Sequence, residues 1–160
     1  MNSSYFVYVA CIKYGKKTFL YIGQTGDNKH QTARGPFYRI AGHLSKLKNS
    51  NQNQIIKGLR KYLEIDNNEY LEEVLTKVDI NYTFWKINSF DYNDNKEQHK
   101  RKRKETQLIE HWLIYNLKDK KIFNKEAKTE ITNDNKKYFG DDWYKLVEIA
   151  EDILKEIQLL

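Results

Sequence analysis

Residues 5–23 read YFVYVACIKYGKKTFLYIG, and the fold turns on how this stretch is parsed. YFVYVACI, residues 5–12, is aromatic and β-branched almost throughout, the composition of a strand buried on both faces. KYGKK is polar and carries a glycine. TFLYIG, residues 18–23, is apolar and aromatic again. Two such runs joined by a short glycine loop predict an antiparallel hairpin.

Downstream, GQTGDNKHQTARGP is a loop, and Pro36 suits the first turn of a helix. Phe37, Ile40, Leu44 and Leu47 then recur at helical spacing and predict an inward-facing stripe. NSNQNQ interrupts it, and Ile55, Ile56, Leu59, Tyr62 and Leu63 resume it as a second helix. NNEYLEEVLTKV predicts a short third. INYTFWKINSF alternates as a third strand. HKRKRKETQLIEHWLIYNL reads as a long helix, IFNKEAKTE as a short extended piece, and DDWYKLVEIAEDILKEIQLL as an amphipathic final helix. The predicted fold class is α+β, a small antiparallel sheet of about three strands flanked by helices.

The chain has 160 residues, of which 39% are hydrophobic and 14% aromatic, a globular composition with one domain expected over residues 1–160. Its formal charge of +6 suits a polyanion, although a merely basic soluble protein is the simpler reading of charge alone. The single cysteine, Cys11, lies in an apolar run and is expected to be buried and inert. No basic segment precedes the first apolar run, and no run approaches the ~20 residues that cross a bilayer. The expectation is a cytoplasmic protein without a membrane span.

Phosphate-binding glycine loops, dinucleotide motifs and zinc spacings of Cys and His are absent from the sequence. The candidates for chemistry are Tyr8, Tyr21, Arg39, His43, Glu110 and Asn124. Arg39 and His43 are four apart on one helix and project from one face, where they can grip a phosphate and handle a proton. As a bare pair they are equally a solvated helix face. Glu110 lies beside the apolar stripe of its helix and can hold Mg²⁺, which takes one or two protein carboxylates plus waters and phosphate oxygens. An ion pair with a lysine is its plainer alternative. HKRKRK, residues 99–104, is expected to open that helix, where basic residues oppose the helix dipole.

Taken in order, these pieces resemble the GIY-YIG nuclease family. FVY at 6–8 stands where that family has Gly-Ile-Tyr, and YIG at 21–23 is intact. RIAGH at 39–43 resembles the family's helix arginine and histidine. EHWLI at 110–114 resembles its Glu-x-x-Leu-Ile, and FN at 123–124 its aromatic-Asn. The resemblance spans residues 5–125, with 126–160 as a helical extension. Phe6 and Val7 depart from the pattern, and Asn124 follows Glu110 at a wide interval, so Asn116 and Glu105 are alternatives.

The resemblance implies hydrolysis of DNA phosphodiester bonds with Mg²⁺ or Mn²⁺ held by Glu110. Arg39 would neutralise the phosphoryl oxygens, and Asn124 would tie the site together. Tyr8 is the favoured base, Tyr21 the positioner of water or phosphate, and His43 the proton-handling assistant, chemically the easier base near pKa ~6.5. Gly23 is expected to let the chain turn beside the phosphate. With it, Gln24, Lys46, Arg101 and Arg103 are the expected nucleic-acid contacts. A compact restriction-like or mobile-element enzyme, with a homodimer as one assembly state, heads the list. A structure-specific repair nuclease and a non-catalytic nucleic-acid-binding module on the same fold are the alternatives. A helical interaction protein using residues 141–160 is a third reading.

Overall fold

The structure is a computed structural model and describes residues 4–26, 35–44, 54–89, 91–117, 120, 122–124 and 133–159, with the backbone alone described at 42–44 and 133–134. Strand β1 (Ser4–Tyr14) pairs antiparallel with β2 (Lys17–Gln24) on one side and with β3 (Asp79–Ser89) on the other, giving the order β2-β1-β3. The hairpin between β1 and β2 closes through Gly15 and Lys16, with Tyr14 opposite Lys17. Gly15 has φ +57, the left-handed conformation that a tight hairpin turn demands and glycine accepts without strain.

The helices are α1 (Pro36–Leu44), α2 (Gln54–Leu63), α3 (Asn68–Lys77), α4 (Lys96–Asn116), α5 (Asn133–Phe139) and α6 (Asp142–Gln158). The fold is α+β, as the sequence predicts. Helix α5 falls in a polar stretch for which the sequence predicts no helix. Helix α4 begins three residues before the basic run, because Asn95 and Gln98 form a reciprocal capping box and Glu97 occupies the first turn. The run HKRKRK therefore does not open the helix, and the dipole argument against it lapses.

Strand β1 alternates between two cores. Val7, Val9 and Cys11 meet Leu20, Ile22, Ile109, Leu113, Trp143 and Ile153 in one cluster. Tyr8, Ala10 and Ile12 meet Phe19, Tyr21, Ile55, Leu59 and Phe123 in the other. Burial on both faces accounts for the near-continuous apolar sequence of β1. The stripe of α6, including Trp143, Leu146 and Ile157, is spent on the first core, so its amphipathicity is explained by packing. Trp85 Nε1 donates to Glu156 Oε2 at 2.8 Å and ties β3 to α6.

Phe37 departs from the inward stripe predicted for α1. It is 83% exposed. In a helix of nine residues the spacing alone does not fix which apolar side chains meet a partner. Leu47 lies outside the described residues. Among the described residues no helix is long and apolar enough to cross a membrane.

Candidate functional site

The edge of β2 is where the site is assembled. Leu20 and Ile22 point their backbone groups away from β1, toward the segment Ile122–Asn124. Phe123 N–H donates to Leu20 O at 2.8 Å, and Leu20 and Ile122 form a parallel bridge. Asn124 completes the pairing with its side chain. Ile22 N–H donates to Asn124 Oδ1 at 2.8 Å, and Asn124 Nδ2 donates to Ile22 O at 2.6 Å. A carboxamide is the side chain that carries both a donor and an acceptor, so it can imitate a strand residue. Phe123 anchors the segment, its ring tilted against Phe19 at 4.9 Å and stacked on Tyr62 at 5.5 Å. Its ring lies against Gly58 of α2, where an added Cβ would come within 2.2 Å of Phe123 Cγ.

Tyr8 and Tyr21 stand on one face of the hairpin with ring centroids 6.2 Å apart. Tyr8 is opposite Gly23 in the strand register. A Cβ at Gly23 would lie 2.4 Å from both Cζ and Oη of Tyr8, so the phenol occupies the space a side chain would need. This corrects the expected role of Gly23. It is a regular residue of β2 and makes no turn; its lack of a side chain is what seats Tyr8. Phe84 and Tyr82 of β3 enclose Tyr8 further, with centroids at 5.8 and 6.5 Å.

Burial pushes both phenols above the ordinary tyrosine range, Tyr8 further than Tyr21. Glu110 raises both by its negative charge, and Arg39 lowers both by its positive charge. The hydrogen bond between the two phenols raises Tyr8 and lowers Tyr21, so Tyr21 is the easier of the pair to ionise. Burial also lifts Glu110, to about 8, with Arg39 pulling the other way. Residues from β1, β2, α1 and α4 are thus within electrostatic reach of one another. Glu110 keeps part of its surface open. It has no hydrogen bond or ion pair among the described residues.

Arg39 reaches the end of β2, where its Nε donates to Gln24 O at 3.3 Å and an Nη donates to Gly26 O at 3.4 Å. A guanidinium has five N–H donors, so these long contacts orient it without exhausting it. Gln24 folds back, its Oε1 accepting from Gly26 N–H. Thr25, fully buried, extends the pairing by accepting from Phe6 N–H at 3.0 Å and donating to Ser4 O at 3.3 Å. The side chain of Arg103 crosses the same glycine, where an added Cβ on Gly26 would lie 2.7 Å from Arg103 Cγ.

No family model, curated protein or solved structure matches the chain.

Other expected residues are placed differently. Arg101 bridges Glu105 at 3.2 Å and also pairs with Asp142 on α6, so it fastens helices together. Glu105 also accepts from Asn88 at 2.7 Å, and Asn116 donates to Trp112 O at 2.8 Å; both alternatives are committed to local structure. His99 is buried and hydrogen-bonds Tyr5 Oη at 3.2 Å. The side chain of His43 and all of Lys46 lie outside the described residues; the backbone of His43 is in α1.

Tyr82 was not singled out by sequence. Burial raises its hydroxyl to about 12, and its Oη is buried with no hydrogen-bond partner among the described residues. The alternation of INYTFWK, with Tyr82 and Phe84 two apart, was the signal that put it on the Tyr8 face.

Among the described residues no three His, Cys, Asp or Glu side chains gather as a metal cage. A lone, partly open carboxylate still fits Mg²⁺ or Mn²⁺, because such ions retain waters and take phosphate oxygens as ligands. The raised Glu110 is in keeping with that fit, since a cation beside it would supply the positive charge its ionised form lacks.

Proposed function

We propose that this protein is a metal-dependent endonuclease of the GIY-YIG type, hydrolysing DNA phosphodiester bonds. The reading is carried by one arrangement: at one end of the hairpin the Tyr8 and Tyr21 rings stand 6.2 Å apart, Arg39 is held at Gln24 and Gly26, and Glu110 lies within electrostatic reach of all three. A core-packing tyrosine pair has no need of a guanidinium and an otherwise unpaired carboxylate beside it.

Arg39 is the phosphate clamp, held at Gln24 and Gly26 by two of its five N–H donors, which leaves others for the linkage. Its charge offsets the charge that grows on the phosphoryl oxygens. Glu110 is the ligand of the divalent ion, which when bound supplies charge to the phosphoryl oxygens and the departing alkoxide. The phenol pair, its hydroxyls held protonated by burial, orients the attacking water by hydrogen bonding, with Tyr21 the member that ionises more readily. Burial of the phenols stands against the base role expected of Tyr8. His43, one helical turn past Arg39 on α1, is the proton acceptor in this reading. Asn124 holds Ile22, between Tyr21 and Gly23, in place.

Supercoiled and linear DNA incubated with the protein, with Mg²⁺ or with EDTA, tests the reading. Cleavage that requires the metal and leaves 5′-phosphate and 3′-hydroxyl ends is expected. Salt-sensitive binding with no cleavage under any metal identifies the non-catalytic binding module instead.

A further inference from the structure

A second feature lies on α4 next to this site. A cavity of about 330 Å³ opens between α4 and α5, lined by Lys104, Gln107 and His111 on the first helix and Asn135 and Tyr138 on the second. Leu108 and Phe139 supply apolar lining. Its volume is at the lower end of the range for small-ligand sites. Glu110 and His111 are consecutive residues, so the cavity and the carboxylate share one turn of α4 while facing directions about 100° apart.

The lining combines chemistries that seldom serve packing alone. The Lys104 ammonium stands 3.9 Å from the centroid of the Tyr138 ring, itself 45% exposed. Gln107 and Asn135 each offer a donor and an acceptor in one plane, the pairing that reads the edge of a base. An aromatic face, a flexible cation and two amides suit a base with its phosphate better than a simple anion, which would leave the amide acceptors opposed.

We infer that this cavity takes one nucleotide of the substrate strand, close to the cleaved linkage, with the base on Tyr138, its edge at Gln107 and Asn135, and its phosphate at Lys104. The inference rests on the nuclease reading for its strand, but its site is separate. Helix α4 would then divide the work, one face cutting and the neighbouring face choosing which base stands beside the cut.

The test is titration of the isotope-labelled full chain with each of the four deoxynucleoside 5′-monophosphates and with inorganic phosphate, followed by NMR. The expected result is perturbation of the Gln107 and Asn135 side-chain amides and of backbone amides around 104–111 and 135–139, stronger for some bases than others. Tyr138→Ala and Lys104→Gln should each weaken this binding about tenfold with the folded spectrum kept, in line with the loss of one stacking or phosphate contact. Shifts that avoid these residues, that inorganic phosphate reproduces in full, or that survive both substitutions overturn the inference. The two readings fail separately: base-dependent shifts here in a protein that cuts no DNA keep a nucleotide pocket but sink the nuclease reading, and a cutting enzyme with a silent pocket keeps the nuclease reading and overturns the inference.

Discussion

Asn124 exchanges two hydrogen bonds with the backbone of Ile22, at 2.8 and 2.6 Å, and thereby stands in for a strand beside β2. The contact links residues 102 apart in sequence and fixes the segment that carries Tyr21 and Gly23. Asn124→Asp presents a second acceptor to Ile22 O and should destabilise the fold by about 1–3 kcal/mol. Urea unfolding measures this. Equal stability of the variant would mean that Asn124 does not hold the edge.

The Tyr8 ring fills the position of a Gly23 side chain. Gly23→Ala should therefore displace Tyr8 and cost about 1–3 kcal/mol, as overpacking does. Removing the ring relieves the clash, so Gly23→Ala and Tyr8→Ala should be strongly non-additive in a double-mutant cycle. Additive losses would separate the two residues.

Burial pushes the Glu110 carboxyl up to about 8 in the folded protein, well above an ordinary carboxyl. The folded state then holds more protons than the unfolded chain between about pH 4.5 and 8, so this group lowers stability as pH rises through that window. Glu110→Gln removes the penalty. It should be more stable than the parent at pH 8.5 by on the order of 1–3 kcal/mol, after allowing for the solvent that reaches the carboxylate, and no more stable at pH 4. Mg²⁺ should raise the melting temperature of the parent at pH 8 and leave that of the variant unmoved. Melting curves at the two pH values, with and without Mg²⁺, decide both points.

Much of this architecture was legible in residues 5–23. The hairpin follows from two apolar runs around Gly15, and the paired tyrosines follow from the two-residue period of the strands. What escaped the sequence lies where distant segments meet. Nothing local in FN at 123–124 distinguishes a side chain that binds a metal-site partner from one that binds backbone; the open edge of β2 decides it. Arg101 reads as a free cation until Asp142, on another helix, is placed beside it. The seven-residue α5 has too short a pattern to register, and with it the cavity against α4 stays hidden.

Arg39→Ala should reduce cleavage by about 10²- to 10³-fold while DNA binding falls much less, because the clamp matters most as charge develops. Arg39→Lys should recover only part of the loss, since an ammonium lacks the planar fork. A His43→Ala variant read across pH tests that side chain as the proton acceptor. Loss of the acid limb near pH ~6.5 assigns the proton to His43. An unchanged acid limb would exclude His43 from that role.

The most direct measurement is nicking of supercoiled plasmid by the purified parent and by Glu110→Gln, side by side, in Mg²⁺ and in EDTA. The account predicts nicking by the parent in Mg²⁺ alone and none by the variant, whose circular dichroism and melting show it fully folded. Nicking by Glu110→Gln at the parent's rate, or by the parent in EDTA, would contradict it.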